Sequence, residues 1–185
     1  MGMDSKWLSK KSGSKALRLA AAAALVHCAS LSLRAATVTS TWTGATDTKW
    51  SNANNWSPSD FDPNNGNGGN DYNVILGTPS PTTLDTTVEI NDLTVNSGGL
   101  LNIQVNNTMT IDGTVTDNGG IVVDSGNNGG TTIFNFNSAT AAVTGSGTLT
   151  LNAGGGAAQF NTASGATVTQ DVNHSIVGLA QINAS

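Results

Sequence analysis

The chain is poor in charge. Only 10% of its 185 residues are Asp, Glu, Lys or Arg, against about a quarter in ordinary soluble domains. That scarcity is wrong for a coiled coil and for a charged disordered tail. Aromatics amount to 5% and apolar residues to 37%, too few for a large globular core built on aromatic anchors. Basic residues are concentrated in one place: Lys6, Lys10, Lys11, Lys15, Arg18 and Arg34 lie in the first 36 residues, and only Lys49 follows. Of the acids, only Asp4 lies in that stretch, so residues 37–185 hold one Lys against eleven acids, a net charge of −10. Such a surface repels phosphate, which excludes nucleic acid as a partner.

The basic stretch reads as a secretory signal peptide over residues 1–36. Lys10, Lys11 and Lys15 precede an apolar run from Ala16 to Val26, which is too short to span a bilayer (roughly 20 residues are needed). Small residues at Cys28-Ala29-Ser30 place cleavage between residues 30 and 36. The alternatives are an uncleaved amphipathic helix or anchor, and lipidation at Cys28, which the preceding His27 disfavours. Cys28 is the one cysteine. Its loss with the leader removes disulfides, thiol catalysis and Cys-ligated metals together. The expected mature chain is secreted or displayed on a bacterial surface and has no membrane span.

From Thr37 onward the composition turns to Thr, Asn, Gly, Val, Ile and Leu. No stripe of helical period survives the Gly and Asn punctuation. Short alternating runs take its place, such as Val88-Glu89-Ile90, Leu101-Asn102-Ile103, Ile133-Phe134-Asn135-Phe136 and Leu149-Thr150-Leu151. Apolar residues at every second position are the mark of half-buried strands. Gly-Gly pairs at 98, 119, 129 and 154 divide the runs, and Gly and Asn accept the backbone angles of tight turns. The spacing predicts an all-β, right-handed parallel β-solenoid (β-helix) behind a signal-peptide helix, with two or three strands per coil of about 20–25 residues. One such coil buries too few side chains to offset its own ordering, so coils must stack. An antiparallel β-sandwich is the alternative. The expected organisation is a Trp-rich cap and loop over 37–84 and coils over 85–185. The strand pattern runs on to Ser185, so a longer product, or a partner covering the open end, is expected.

Three tryptophans cluster in Thr41-Trp42-Thr43-Gly44, Lys49-Trp50-Ser51 and Asn54-Asn55-Trp56-Ser57, and Asp71-Tyr72-Asn73-Val74-Ile75 follows. This arrangement resembles the N-terminal segment of bacterial secreted β-helix surface proteins of the autotransporter-associated β-strand repeat and PEP-CTERM type. The resemblance covers about residues 40–185. It implies an exported structural or adhesive role at the cell surface or in an extracellular matrix, without catalytic residues. Two departures stand out: no C-terminal translocator or anchor is evident, and the loop at 59–71 is longer than the family's usual turn. The plain reading of Trp42, Trp50 and Trp56 is a cap over the first coil. The functional alternative is a carbohydrate-binding platform of Trp42, Trp50, Trp56 and Tyr72, with surface glycans or other cell-surface and matrix proteins as partners.

The loop contains Asp60, Asp62 and Asn64 in alternation, and Asp71 at the twelfth position. Such oxygens make a weak calcium site conceivable. Asn65 where a Gly is wanted, and Pro63 in the middle, favour a plain solvated loop with no cofactor. An enzyme is disfavoured. The remaining acids are scattered singly, and His174 is the one histidine beyond the leader, which leaves a triad or metal cluster little to work with. Stacked coils could still bring distant acids together, so the N-terminal part of a polysaccharide-degrading β-helix enzyme stands as a further alternative. Thr-x-Thr at 108–110, 114–116, 148–150 and 167–169 has no even spacing and reads as outward threonine on ordinary strands.

Overall fold

The computed structural model describes residues 35–127, 129–179 and 181–184. The signal peptide read over 1–36 lies, but for its last two residues, outside the described residues. What is described is all-β: strands and two short 3-10 turns, with no α-helix among the described residues.

The strands follow one another in threes. The first coil holds β3 (Asn70–Leu76), β4 (Thr82–Leu84) and β5 (Val88–Ile90), and the second β6 (Leu93–Val95), β7 (Leu100–Ile103) and β8 (Thr108–Ile111). Next come β9 (Val115–Asp117), β10 (Gly120–Asp124) and β11 (Thr131–Phe136), then β12 (Thr140–Thr144), β13 (Thr148–Asn152) and β14 (Ala157–Thr162). The fifth described coil is β15 (Thr167–Gln170), β16 (Ser175–Leu179) and β17 (Gln181–Ala184). Before them, β1 (Ala36–Trp42) and β2 (Trp56–Ser57) extend the first sheet.

Each strand of a coil enters a different sheet. The orders are β15-β12-β9-β6-β3-β1-β2, β16-β13-β10-β7-β4 and β17-β14-β11-β8-β5. All pairings between coils are parallel, and only β1 with β2 is antiparallel. A chain that returns to the same sheet once per coil must run in the same direction each time. This is a β-solenoid-like stack of three parallel sheets, not a pair of antiparallel sheets. Residues 37–84, read as cap and loop, also supply β1, β3 and β4 to the stack.

The register converts alternation into columns. Thr82, Leu101, Ile121, Leu149 and Ile176 align along the second sheet. Val88, Met109, Phe134, Phe160 and Ile182 align along the third. Leu101, Ile103, Met109, Ile121, Phe134 and Leu149 are fully buried, each contributing about 1.5–3 kcal/mol of burial. Phe134 and Phe136 meet edge-on at 5.5 Å, and Phe160 packs tilted against both at 6.2 and 5.6 Å. The alternate residues, Asn102, Thr110, Asn135 and Thr150, point outward and are half-buried. Parallel sheets are usually covered on both faces. Here one face is polar and solvated, which is why the strands alternate instead of reading as continuous apolar runs.

The Gly-Gly pairs mark two kinds of corner. Gly98 and Gly119 stand between the first and second sheets, Gly129 and Gly154 between the second and third. Their uneven spacing in sequence has this cause. Corner length also varies, so equivalent residues Val74, Leu93, Val115 and Val143 are 19, 22 and 28 residues apart.

Candidate functional site

The tryptophans close the first end of the stack. Trp42 ends β1 and stands opposite Trp56 of β2. Their rings meet edge-on at 5.0 Å, and Trp50 meets Trp56 edge-on at 4.6 Å. Each indole N–H donates to a backbone carbonyl: Trp42 to Pro79 at 2.9 Å, Trp50 to Pro63 at 2.9 Å and Trp56 to Trp50 at 2.8 Å. The Tyr72 hydroxyl donates to the Asn67 carbonyl at 3.1 Å. None of the four side chains is more than 4% exposed. All four belong to the continuous apolar core of the stack. A sugar-stacking platform needs an open ring face, and these rings turn theirs to one another and to the first coil.

The hub of the cap is Asn55, which the sequence reading passed over. It is fully buried. Its Oδ1 accepts from the amides of Thr46 and Asp47, and its Nδ2 donates to Asp47 Oδ1 at 2.6 Å and to the Lys49 carbonyl at 2.9 Å. Its own carbonyl accepts from the Thr43 amide and hydroxyl. Hydrogen bonds from the Asn52 side chain, the Lys49 amide and Asn55 hold the Asp47 carboxyl below its usual range. The available signal was the doublet Asn54-Asn55 directly before a Trp, since a short amide side chain can satisfy several loop amides at once.

The acids of the calcium reading look in different directions. Asp60 is exposed. Asp62 accepts from Asn67 Nδ2 at its carbonyl and at Oδ1; burial, then the charge of Asp85, raise its carboxyl above the ordinary value. Asn64 Oδ1 accepts from the Glu89 amide at 3.0 Å. Asp71, on β3, lies near Glu89 instead. Burial, then Asp112 and Asp71, push the Glu89 carboxyl up. Among the described residues no group of three or more His, Cys, Asp or Glu has the arrangement of a metal site, and no helix is long and apolar enough to cross a membrane.

The one described histidine is not at the surface. His174 is buried against Asp117 at 3.1 Å. Threonines do align where the coils permit: Thr94, Thr116 and Thr144 share a column of the first sheet, with 3.2 Å between the last two hydroxyls.

A surface depression lies elsewhere. It is a groove of about 450 Å³ on the outer face of the second sheet, bordered by Thr83, Asn102, Gln104, Val105, Asp124 and Gly126. None of these residues stood out in the sequence, because an outward Asn or Thr on a strand is ordinary.

Comparison with known proteins found no family model, no curated protein and no solved structure that matches the chain.

Proposed function

We propose that the chain is an exported, non-catalytic β-solenoid segment of a bacterial cell-surface or secreted protein. It acts as a rigid scaffold that presents polar faces and corner loops for adhesion. The coils wind to the right, and residues 1–36 direct export and are removed. The observation that carries the reading is the unbroken column of rungs from β4 through β16. Such a column gives a rod whose length grows with coil number and whose outer positions vary without disturbing the core.

Three further features support it. The Trp cap covers the first rung and shields an edge that would otherwise pair with other chains. The outer columns carry Thr, Asn and Gln, side chains suited to adhesive contact and not to acid–base chemistry. The imidazole of His174 is fully buried, out of reach of any substrate.

The test is expression of the full chain in a bacterium, followed by fractionation and attachment assays. The processed chain is expected outside the cytoplasm, cleaved between residues 30 and 36, and bound to glycan- or matrix-coated surfaces. Retention in the cytoplasm, or export without attachment to any such surface, would contradict the proposal.

A further inference from the structure

The groove on the second sheet is built by unequal corners. The corner between β7 and β8 spans residues 104–107, whereas that between β10 and β11 spans 125–130. The longer corner stands out beside the shorter one, with Gly126 at φ +60° against Val105. Thr83 and Asn102 are in-register neighbours on β4 and β7 and face outward on the groove floor.

The polar groups here are uncommitted. Several outward amides among the described residues are already bonded: Asn107 to the Leu84 carbonyl, Asn137 to Asp112, Asn152 to Asp124 and Asn183 to Asn161. The side-chain amides of Asn102 and Gln104 have no such partner among the described residues. Asp124 uses only Oδ1, which accepts from Gly126 N at 2.9 Å and Asn152 Nδ2 at 3.2 Å, so Oδ2 is open. The Thr83 hydroxyl has one long contact, 3.4 Å, to Thr48. Val105 supplies an apolar surface.

We propose that this groove, and not the Trp cluster, is a binding site for a neutral oligosaccharide. Sugar hydroxyls donate and accept at once, and two free amides, a hydroxyl and one carboxylate oxygen match that chemistry. Val105 meets the C–H face of a ring. Adjacent strands are about 4.8 Å apart, close to the length of a pyranose unit, so Thr83 and Asn102 address successive units. Charge favours a neutral ligand. Asp124 repels anions, and one carboxylate falls far short of the six to eight oxygens that calcium takes. The groove volume falls within the usual range of ligand sites, about 300–1,000 Å³.

This proposal rests on the adhesive reading and gives it a ligand class and an address. Its test is NMR titration of the full chain with cellohexaose, chitohexaose and mannohexaose, repeated on Asn102→Ala/Gln104→Ala and on Trp50→Phe. At least one sugar is expected to shift the amides of Thr83, Asn102, Gln104 and Asp124. Affinity should fall at least about tenfold in the double variant, a loss of roughly 1.4 kcal/mol, and hold in Trp50→Phe. Both substituted groove side chains are outward and free, so an unchanged thermal midpoint confirms that folding is intact. Equal binding by the double variant, or shifts confined to the cap, overturns the groove while leaving adhesion standing. No response to any of the three sugars overturns the proposal. Surface attachment by that same protein would show that adhesion runs through other chemistry.

Discussion

His174 Nε2 lies 3.1 Å from Asp117 Oδ2, although 57 residues separate them and both side chains are fully buried. Asp117 ends β9 in the third coil, and His174 precedes β16 in the fifth. The intervening coil passes between them at Gly147, where a Cβ would sit 2.5 Å from the Asp117 carboxyl group. Asp117 Oδ1 also accepts from the Gly119 amide at 2.9 Å, and Gln170 donates to the His174 carbonyl at 2.6 Å. The pair ties the last described coil to one two rungs away.

His174→Ala leaves the Asp117 carboxylate buried with one partner fewer. Leaving a buried acceptor one donor short costs about 1–3 kcal/mol. The loss should be local. Native-state hydrogen exchange is expected to show faster opening of β15 and β16 with β3–β5 unchanged.

Gly147→Ala is expected to destabilise more than a surface change by forcing Asp117 aside. In the background of Asp117→Ala, which removes the carboxylate, its cost should shrink by about 0.5–3 kcal/mol, the range of coupled neighbours. Thermal unfolding of the four members of the cycle measures this.

Trp50→Ala should cost about 3–5 kcal/mol and orphan the Pro63 carbonyl. Phe61, 45% exposed, is the contrast: its replacement by Ala should stay within about 0.5 kcal/mol. Urea titrations followed by the remaining tryptophans separate the two.

The raised Glu89 carboxyl predicts a pH effect with a definite sign. Its folded value lies above the unfolded one because of burial and the charges of Asp112 and Asp71. Its protonated form therefore favours folding. That contribution is fully present below the unfolded pKa, about 4.3, and is lost as pH rises through the folded value. Glu89→Gln should raise the melting temperature at pH 7, by no more than about 1 kcal/mol in stability for an exposed group. The gain should vanish at acid pH, where wild-type Glu89 is itself neutral.

Much of the stack was legible because a solenoid writes its cross-section into a period of two. Leu101-Asn102-Ile103 alternates in sequence and alternates in burial. The Trp cluster was legible from three Trp in fifteen residues, and the rings do pack together. By contrast, β1 reads Ala-Thr-Val-Thr-Ser-Thr-Trp and buries Ser40 and Trp42. Its inward positions Val38, Ser40 and Trp42 give only a broken apolar alternation, and parallel pairing with β3 fixes its place. The Asp117–His174 pair was illegible because its proximity depends on the lengths of all the corners in the two coils of chain between them. The groove was illegible for the same reason, since it exists only where a long corner stacks on a short one.

The central claim is that successive coils stack in parallel and in register. Pulsed-EPR distances test it directly in a Cys28→Ser background, with one nitroxide at Thr83 and the second at Thr150 or Val177. These positions share a column on the second sheet, three and four strand spacings apart, so backbone separations of about 14 and 19 Å are expected at about 4.8 Å per rung. A distance that does not lengthen from Thr150 to Val177, as in hairpins folded face to face, would contradict the account.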